Sequence, residues 1–459
     1  MTEESEGKMK SLEEEIRSYG GPIALLRDRP IRRFQFPYPG EITNWQDEQR
    51  SWTETAALFD QSHHMTDVYI KGPDVWRLLS ETGVNNPRTY GEDRAKHFIA
   101  CAPDGNMIGT AILFGLGAQQ ASLVGPSAAA NWVQYQAEAG GYDVTIERDE
   151  RTADGNPRRR TFRYEVQGPK AWRIVEKAHG GRLDNPGFFR MMQFAIEGRP
   201  VRALVHTMVG VPGDASMGLE IFGDVSDGDA CLDALMRAGE EFGLVRAGAL
   251  AYYTGATESG YLAQPVPAIY AGDGLSGYRS WLKADGYEAR LSVGGSFEPS
   301  AVDEYYFTPW DFGYGHVVHL DHEFIGRDAL AVSKKESRLK KVWLRWNDDD
   351  VTQLYADSLF AGHDRPKYLE TPLSRYARVQ YDAVLSNDAA EIGVSAYAAY
   401  TVNAGSWFTV ALIDERHARD GEQVEILWGE SGGGSGKRTV ERHVQRTIRA
   451  TVSTESVAK

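Results

Sequence analysis

Three short segments of the 459-residue chain carry side chains whose types could do chemistry. FDQSHHM (59–65) sets Gln61, His63 and His64 close together. LEIFG (219–223) puts Glu220 inside an apolar strand. AYYTGATESGY (251–261) is a glycine-broken loop crowded with Tyr252, Tyr253 and Tyr261. A carboxylate inside an apolar strand is costly unless it is paired. Each residue also has a plain structural reading: a salt bridge for Glu220, a satisfied core histidine for His64, a packed aromatic with a bonded hydroxyl for Tyr252. Taken residue by residue, they specify a multi-domain cytoplasmic protein with a small-molecule site.

Other candidate motifs do not hold. GESGGGSGKR (429–438) resembles a phosphate loop, but Ser431 stands where its first glycine belongs and Arg438 replaces the magnesium-binding Ser/Thr. It is expected to be a flexible hairpin tip. FGLGAQQ offers Gly115 and Gly117 without a third glycine, so no dinucleotide fingerprint is present. HVVHLDH spaces His316, His319 and His322 by three, but the local sequence is β-like, where such positions alternate faces. Ordinary hydrogen-bonded histidines are expected there, and no metal. His63 and His64 are adjacent and point apart on an extended chain.

The elements that must position these residues show an internal echo. VYIKGPDVWRLL (68–79) and YEVQGPKAWRIV (164–175) are both a β-rich run, then Gly-Pro, then a helical pattern with matching Trp76/Trp172 and Arg77/Arg173. Pro73 and Pro169 suit the first turn of a helix. Two copies are too few for a solenoid and imply two related α+β lobes. HFIACAP and MIGTAILFGL read as a hairpin about Asp104-Gly105-Asn106, and SAAANWVQYQAEAGG as a helix from Ser127 to Gly140-Gly141. CLDALMRAGEEFG has helical spacing, whereas VRALVHTMV and LEIFGD read as strands. KKESRLKK reads as an exposed linker. Beyond it, six strand-like runs with almost no helical periodicity predict a C-terminal β-barrel or sandwich. The division is therefore 1–335, two related lobes holding the site, and 336–459, the β domain.

Composition bounds the partners. Hydrophobic residues make up 42% and aromatics 11%, enough for more than one core. The 50 Lys+Arg against 65 Asp+Glu leave a net charge of -15, unsuited to gripping nucleic acid or an anionic membrane. Cys101 and Cys231 can build neither a disulfide framework nor a four-thiolate metal site. The charged N-terminus is no signal peptide, and no apolar run spans a membrane, so a cytoplasmic protein is expected.

Taken together, several segments resemble the aminomethyltransferase (glycine cleavage T protein) family. They are TNWQDEQRSW (43–52), LFDQSHHM (58–65), AAANWVQYQAEAGGYDV (128–144), VQGPKAW (166–172), GLEIFG (218–223), AYYTGATESGY (251–261), GGSFEPSAVDEYYFTPWDFGYG (294–315), DHEFIGRDAL (321–330) and ILWGE (426–430). Within the family they are most similar to its tetrahydrofolate-dependent aromatic O-demethylases, which act on vanillate, syringate and related methoxybenzoates. The resemblance runs from about residue 20 to about 455. It implies three lobes around a folate channel, tetrahydrofolate as methyl acceptor, and no obligatory protein partner. Tyr252 and His64 match residues at the demethylation centre. Glu220, Gln167, Glu165 and Tyr261 match positions around the folate, and Gln61, Phe36 and Phe188 positions around the aromatic substrate.

The chemistry suits these types. Losing a methyl group from an aryl ether to the weak nucleophile N5 needs an acid near the ether oxygen, and a tyrosine sharing its proton with a histidine can serve. Glu220 can accept from the pterin N3–H and 2-amino group together. Three departures bear on substrate. Gly109 and Thr110 replace the acidic pair of the glycine cleavage protein, which disfavours amine release. Phe36 stands where vanillate-type enzymes tend to have a tyrosine. Pro126 stands where they carry an arginine, so an anionic ring substituent needs another partner. A dicamba-like or other lignin-derived methoxyarene would suit a more apolar pocket, to which Phe34 and Phe189 also belong. The alternatives are a non-aromatic donor such as dimethylsulfoniopropionate and a folate-binding protein without catalysis.

Overall fold

The repeated strand–Gly-Pro–helix signature builds the same pair of elements twice. Strand Thr66–Lys71 leads into helix Val75–Thr82, which buries Val75, Leu78, Leu79 and Thr82. Strand Thr161–Gln167 leads into helix Ala171–His179, which buries Ala171, Ile174, Val175 and Ala178. Both helices bury positions i, i+3, i+4 and i+7, one face of a 3.6-residue period. Pro73 and Pro169 are not in the first helical turn. They stand in the tight turn two residues ahead of it, because Gly72 (φ +147°) and Gly168 (φ +122°) must first redirect the chain.

The computed structural model describes residues 10–29, 38–156, 158–210, 218–262, 264–434, 437 and 440–458. The first echo strand lies in a five-stranded antiparallel sheet ordered Ala95–Cys101, Met107–Gly117, Gln120–Gly125, Thr66–Lys71, Thr145–Asp149. The second lies in a six-stranded sheet ordered Leu244–Ala247, Ala56–Asp60, Thr161–Gln167, Gly218–Asp224, Arg199–His206, Met191–Ile196. The expected hairpin and the helix Ser127–Gly140 are both present. Six C-terminal strands, starting at Leu339, close into a barrel, as the strand-like runs predicted. A short parallel pairing of Val293–Gly294 with Val379–Gln380 ties the barrel region to the segment before it. The fold is α+β and three-lobed.

Several expectations are corrected. Residues 251–261 are no broken loop, since Ala249–Ser259 is a helix that ends at Gly260. Its glycine Gly255 marks a close approach and not a break: a Cβ there would meet Val209 Cγ1 at 2.2 Å. KKESRLKK is no linker, for it ends helix Arg327–Glu336 and begins barrel strand Leu339–Trp346. Lys341 Nζ donates to the Gly260 carbonyl. The barrel region also carries helix Asp348–Phe360, capped by Asn347, where no helical period was read. In 429–438 the described part is a 3-10 turn at Ser431–Gly433 and a buried Lys437, whose Nζ donates to the Arg27 and Val293 carbonyls, so this lysine does not sit on an exposed tip. Residues 316–322 form a 3-10 turn and irregular chain instead of a strand.

Gly72 and Gly91 isolate a backbone clash from backbone strain. Their φ values are close (+147° and +142°), but a Cβ on Gly72 would meet the Asp143 carbonyl oxygen at 2.3 Å, whereas Gly91 faces open space. Gly91→Ala should cost about 1–2 kcal/mol and Gly72→Ala about 2 kcal/mol more. Equal melting temperatures for the two variants would contradict this.

Candidate active site

The QSHHM segment is the crossover between the two sheets. Strand Ala56–Asp60 belongs to the six-stranded sheet, strand Thr66–Lys71 to the five-stranded one, and residues 61–65 turn between them. The turn is held at both ends: at its start Gln61 N donates to the Arg163 carbonyl and Arg163 N to Ser62 Oγ, and at its end Arg159 Nη1 donates to the Met65 carbonyl. The histidines do point apart, on a turn instead of an extended chain. His63 Nδ1 lies 2.9 Å from Thr152 Oγ1. His64 Nε2 lies 2.8 Å from the Tyr252 hydroxyl, and their rings meet edge to face.

Burial decides the protonation of this pair. It pushes the His64 imidazole down to about 3, helped by the nearby positive Arg151 and Arg159, and pushes the Tyr252 hydroxyl well above the ordinary phenol range. Both groups are therefore neutral. With both groups neutral, one proton lies between them, and the arrangement that leaves the phenol as the acid has Tyr252 donating to an accepting Nε2. Tyr252 also packs against Phe59 and Tyr253.

Beside the pair runs a chain of buried charges. Alternate residues Arg163, Glu165 and Gln167 of one strand share a face with Glu220 and Phe222 of the next and His206 of the third. Their neighbours Phe162, Tyr164, Val166, Leu219 and Ile221 belong to a core with helices Ala171–His179 and Gly228–Gly239. Glu165 and Glu220 are directly opposed in register, which is unfavourable for two like charges without cations between them. Arg163 Nη1 donates to Glu220 Oε1 at 2.7 Å and Arg163 Nε to Asp67 Oδ1 at 3.1 Å. His206 Nε2 lies 2.8 Å from Glu165 Oε2 and 3.6 Å from Glu220 Oε2. Burial raises Glu165 to about 7, opposed by His206. Burial works against charging His206, but the carboxylates of Glu165 and Glu220 outweigh it and raise its pKa. The Arg163 guanidinium is sandwiched by Phe114 and Phe222, with its carbon 4.8 and 4.7 Å from the ring centres.

Glu165, His206 and Glu220 offer ligand atoms within 4.8 Å of one another, the spacing of a cation site. Those atoms already serve one another and Arg163, so the arrangement reads as an ion-pair relay. Glu165 Oε1 is different: it is buried and accepts no hydrogen bond among the described residues. A neutral donor such as an amide-like N–H of a heterocycle would satisfy it.

The remaining expected residues fall around this centre unevenly. Gln167 Oε1 accepts from Met208 N, and Gln61 Nε2 lies 2.8 Å from Met208 Sδ. Tyr261 packs on His97 and Tyr314 and hydrogen-bonds Thr110. Phe188 is 56% exposed and packs on Phe189, whose ring in turn meets His206, so Phe189 reaches the cluster and Phe188 does not. Phe34 and Phe36 lie outside the described residues. Pro126 precedes helix Ser127–Gly140 and supplies no charge. Arg163, Asp67 and His206 went unread in the sequence, although the spacing of Arg163, Glu165 and Gln167 in TFRYEVQ is a period-2 polar face that could have shown them.

The GCVT N-terminal domain signature matches residues 32–265, about half the chain. A syringate O-demethylase of Sphingobium sp. is 38% identical over 448 residues, covering 97% of this chain and 95% of that protein. The chain belongs to the aminomethyltransferase family. A sesamin methylene transferase of Sinomonas sp. is 27% identical over 414 residues, covering 86% of each. The aminomethyltransferase of the Bartonella henselae glycine cleavage system superposes with a TM-score of 0.61 at 14% identity, covering 93% and 94% of the two chains, and so shares the fold. This aminomethyltransferase-family protein is a group-transfer enzyme. Among its described residues, no helix is long and apolar enough to cross a membrane.

Two outcomes follow from the site's electrostatics. Arg163→Leu takes from Glu220 its 2.7 Å cation and leaves Asp67 with Arg159 alone, and should cost about 3–5 kcal/mol in chemical denaturation. His64 and His97, both held at about 3, stay neutral when folded but take a proton near 6.5 when unfolded. Their stabilisation is complete above pH 6.5 and is lost as pH falls toward 3. By proton NMR the His64 ring should remain neutral at pH 5, and titration near 6.5 would show the ring to be solvated.

Proposed function

We propose that this enzyme is a tetrahydrofolate-dependent O-demethylase of methoxylated aromatic acids, giving a phenol and 5-methyltetrahydrofolate. The observation that carries the proposal is the hydrogen-bonded Tyr252–His64 pair beside a buried carboxylate face, in a chain 38% identical to a syringate O-demethylase. A syringate-like donor, with vanillate, 3-O-methylgallate or a dicamba-like ring as other members of the class, is the substrate this reading names.

The carboxylate face fits a pterin. Glu220 does not offer both oxygens, because Oε1 takes Arg163. Glu220 Oε2 and the orphaned Glu165 Oε1 together present two acceptors to the N3–H and 2-amino donors. Glu165, raised to about 7, keeps its acceptor oxygen in either protonation state. Gln167 and Tyr261 would complete the folate surface. Tetrahydrofolate supplies the nucleophilic nitrogen that accepts the methyl group.

The residues of this chain act on the leaving group. The methyl–oxygen bond breaks, and its electron pair stays on the aryl oxygen. Tyr252, oriented by the acceptor Nε2 of His64, donates a hydrogen bond and then its proton to that oxygen. The methylated nitrogen releases one proton in turn, so the phenol and methylfolate form with no net uptake. Because both members of the pair are neutral, the site holds an acid that is not ionised at neutral pH. The desolvation that keeps it so also strengthens the hydrogen bond to a developing phenolate. Alignment of the nitrogen, methyl carbon and oxygen supplies the rest.

Tyr252→Phe should lower kcat by about 10²–10⁴-fold with the tetrahydrofolate Kd little changed. Glu220→Ala should raise the tetrahydrofolate Kd first. Both are read by mass detection of 5-methyltetrahydrofolate in anaerobic incubations with syringate, vanillate, 3-O-methylgallate and dicamba, and by calorimetry. Full turnover in Tyr252→Phe would remove Tyr252 from the reaction. No methylated folate with any of these donors would overturn the demethylase reading.

A further inference from the structure

The helix that carries Tyr252 holds a second buried acid near its far end. Glu258 lies on the same helix, Ala249–Ser259, and keeps none of its surface. Its carboxyl is held by neutral groups. Trp52 Nε1 donates to Oε2 at 2.9 Å, Asn403 Nδ2 donates to Oε1 at 3.2 Å, and the Thr401 hydroxyl bonds the same carboxyl. Trp52 belongs to helix Trp45–Glu54. Thr401 ends barrel strand Glu391–Thr401, and Asn403 lies in the turn after it. The Asn403 amide can face only one way, because its Nδ2 also donates to the Gln49 carbonyl at 3.0 Å. Both Glu258 oxygens therefore meet fixed N–H groups. Of these partners, only Thr401 Oγ1 can accept a proton from the carboxylic acid form.

The charged and titratable groups of the surrounding elements are engaged elsewhere. On helix Trp45–Glu54, Glu48 accepts from the backbone N–H groups of Ile42, Thr43 and Gly248, Asp47 pairs with Arg50, and Glu54 is exposed. On its own helix, Tyr252 bonds His64 and Tyr253 lies against Arg375. On the barrel, Tyr397 donates to the Gln264 carbonyl, Tyr400 packs on Trp45 and Trp407, and Lys341 donates to the Gly260 carbonyl. Near the C-terminus, Ser456 Oγ donates to the Glu258 carbonyl, and Glu455 is exposed. Burial raises Glu258 to about 7, opposed by the hydrogen bonds from Thr401, Trp52 and Asn403 and by no cation.

Glu258 reaches the reaction centre by two routes. One is the helix itself, a rigid element that carries both residues. The other is a chain of rings. Trp52 packs on Phe59 with ring centres 5.9 Å apart, and Phe59 packs edge to face on Tyr252 at 5.7 Å. Trp52, Phe59 and Ala251 are buried in one small core that Tyr252 borders. The indole that Glu258 holds thus backs the ring that backs the tyrosine. A hydrogen bond to an ionised carboxylate is roughly twice as strong as one to a neutral acid, so the hold on Trp52 depends on the proton of Glu258.

We propose that Glu258 is a positioning residue whose proton controls the Tyr252–His64 pair: ionised, it clamps Trp52 and Asn403 and seats Tyr252 through Phe59; protonated, it loosens that seat. The effect on methyl transfer rests on the demethylase reading; the coupling of Glu258 to the pair does not.

Turnover of syringate and the tetrahydrofolate Kd are measured between about pH 5.5 and about pH 8.5. The proteins are the unaltered chain, Glu258→Gln, Trp52→Phe, and a control, Glu241→Gln, whose exposed carboxylate pairs with Lys177. Labelled with nitrogen-15 histidine, the same proteins give the His64 Nε2 chemical shift, which reports the Tyr252 hydrogen bond without substrate. In the unaltered chain kcat should rise about tenfold from about pH 6 to about pH 8, with a midpoint near 7, and the His64 shift should follow it. Glu258→Gln should abolish both midpoints and lower kcat about tenfold at about pH 8, with the Kd little changed. Trp52→Phe keeps a ring against Phe59 but removes a donor to the carboxylate, so both midpoints should move to higher pH. Glu241→Gln should change neither. Glu165 is also raised to about 7, but the proposed reaction gives it to folate binding, so its proton should be read in the Kd. A flat profile in the unaltered chain, a midpoint near 7 that survives in folded Glu258→Gln, or an unmoved midpoint in Trp52→Phe would overturn the proposal. Where Glu258→Gln does not fold, Trp52→Phe decides by the direction of its shift. If no methylated folate forms, the demethylase reading falls, and the His64 signal still decides the coupling.

Discussion

The structure depends on one buried ion-pair bridge. Arg163 sits in the six-stranded sheet and holds Glu220 on the neighbouring strand and Asp67 in the five-stranded sheet. Arg159 adds a second clasp to Asp67 and Asp149. None of these side chains keeps more than a few per cent of its surface, so each charge is tolerable only while its partners are present. The two lobes are therefore joined through a polar seam as well as apolar contact. That seam supplies what a polar heterocycle needs, namely fixed acceptors whose hydration was already lost on folding.

The reaction centre is built on the same seam. The turn 61–65 crosses from one sheet to the other; its first two residues bond the Arg163 backbone and its last, Met65, accepts from the Arg159 guanidinium, so the two clasping arginines bracket His64. Helix Ala249–Ser259 then brings Tyr252 against it. The helix comes close because Gly255 meets Val209 where no side chain would fit, and Trp343 of the barrel donates its indole N–H to the Thr257 carbonyl. All three lobes thus set the 2.8 Å contact between His64 and Tyr252. A pair assembled from three directions, and neutral on both sides, is pre-positioned to hold one proton.

Legibility in the sequence followed the range of the physics involved. The duplicated Gly-Pro turn, the hairpin at Asp104-Gly105-Asn106, helix Ser127–Gly140 and the barrel strands are local patterns, and all appear as elements of the stated type. Segment 251–261 misled because its glycines and tyrosines have low helix propensity, and packing against Val209 and the barrel overrode it. Helix Asp348–Phe360 was missed because three aspartates open it and its buried face is only Val351, Leu354 and Ser358. KKESRLKK looked solvated, yet Lys341 is drawn inward by the Gly260 carbonyl. Phe188 was grouped with the site by type, while its backbone turns it outward and Phe189, at φ +57°, inward.

By itself, the sequence determined the α+β class, the lobe duplication, the barrel and the membership in the aminomethyltransferase family, because each rests on residue types at short, regular spacing or on long ungapped segments. It also singled out His64, Tyr252 and Glu220 as residues with chemistry to spare. Only the tertiary structure decided which groups stand together: the tyrosine hydroxyl against the imidazole, Arg163 between Asp67 and Glu220, and His206 on Glu165. Charge pairing, desolvation and pKa depend on distances between residues up to about two hundred positions apart, and no local pattern encodes those distances.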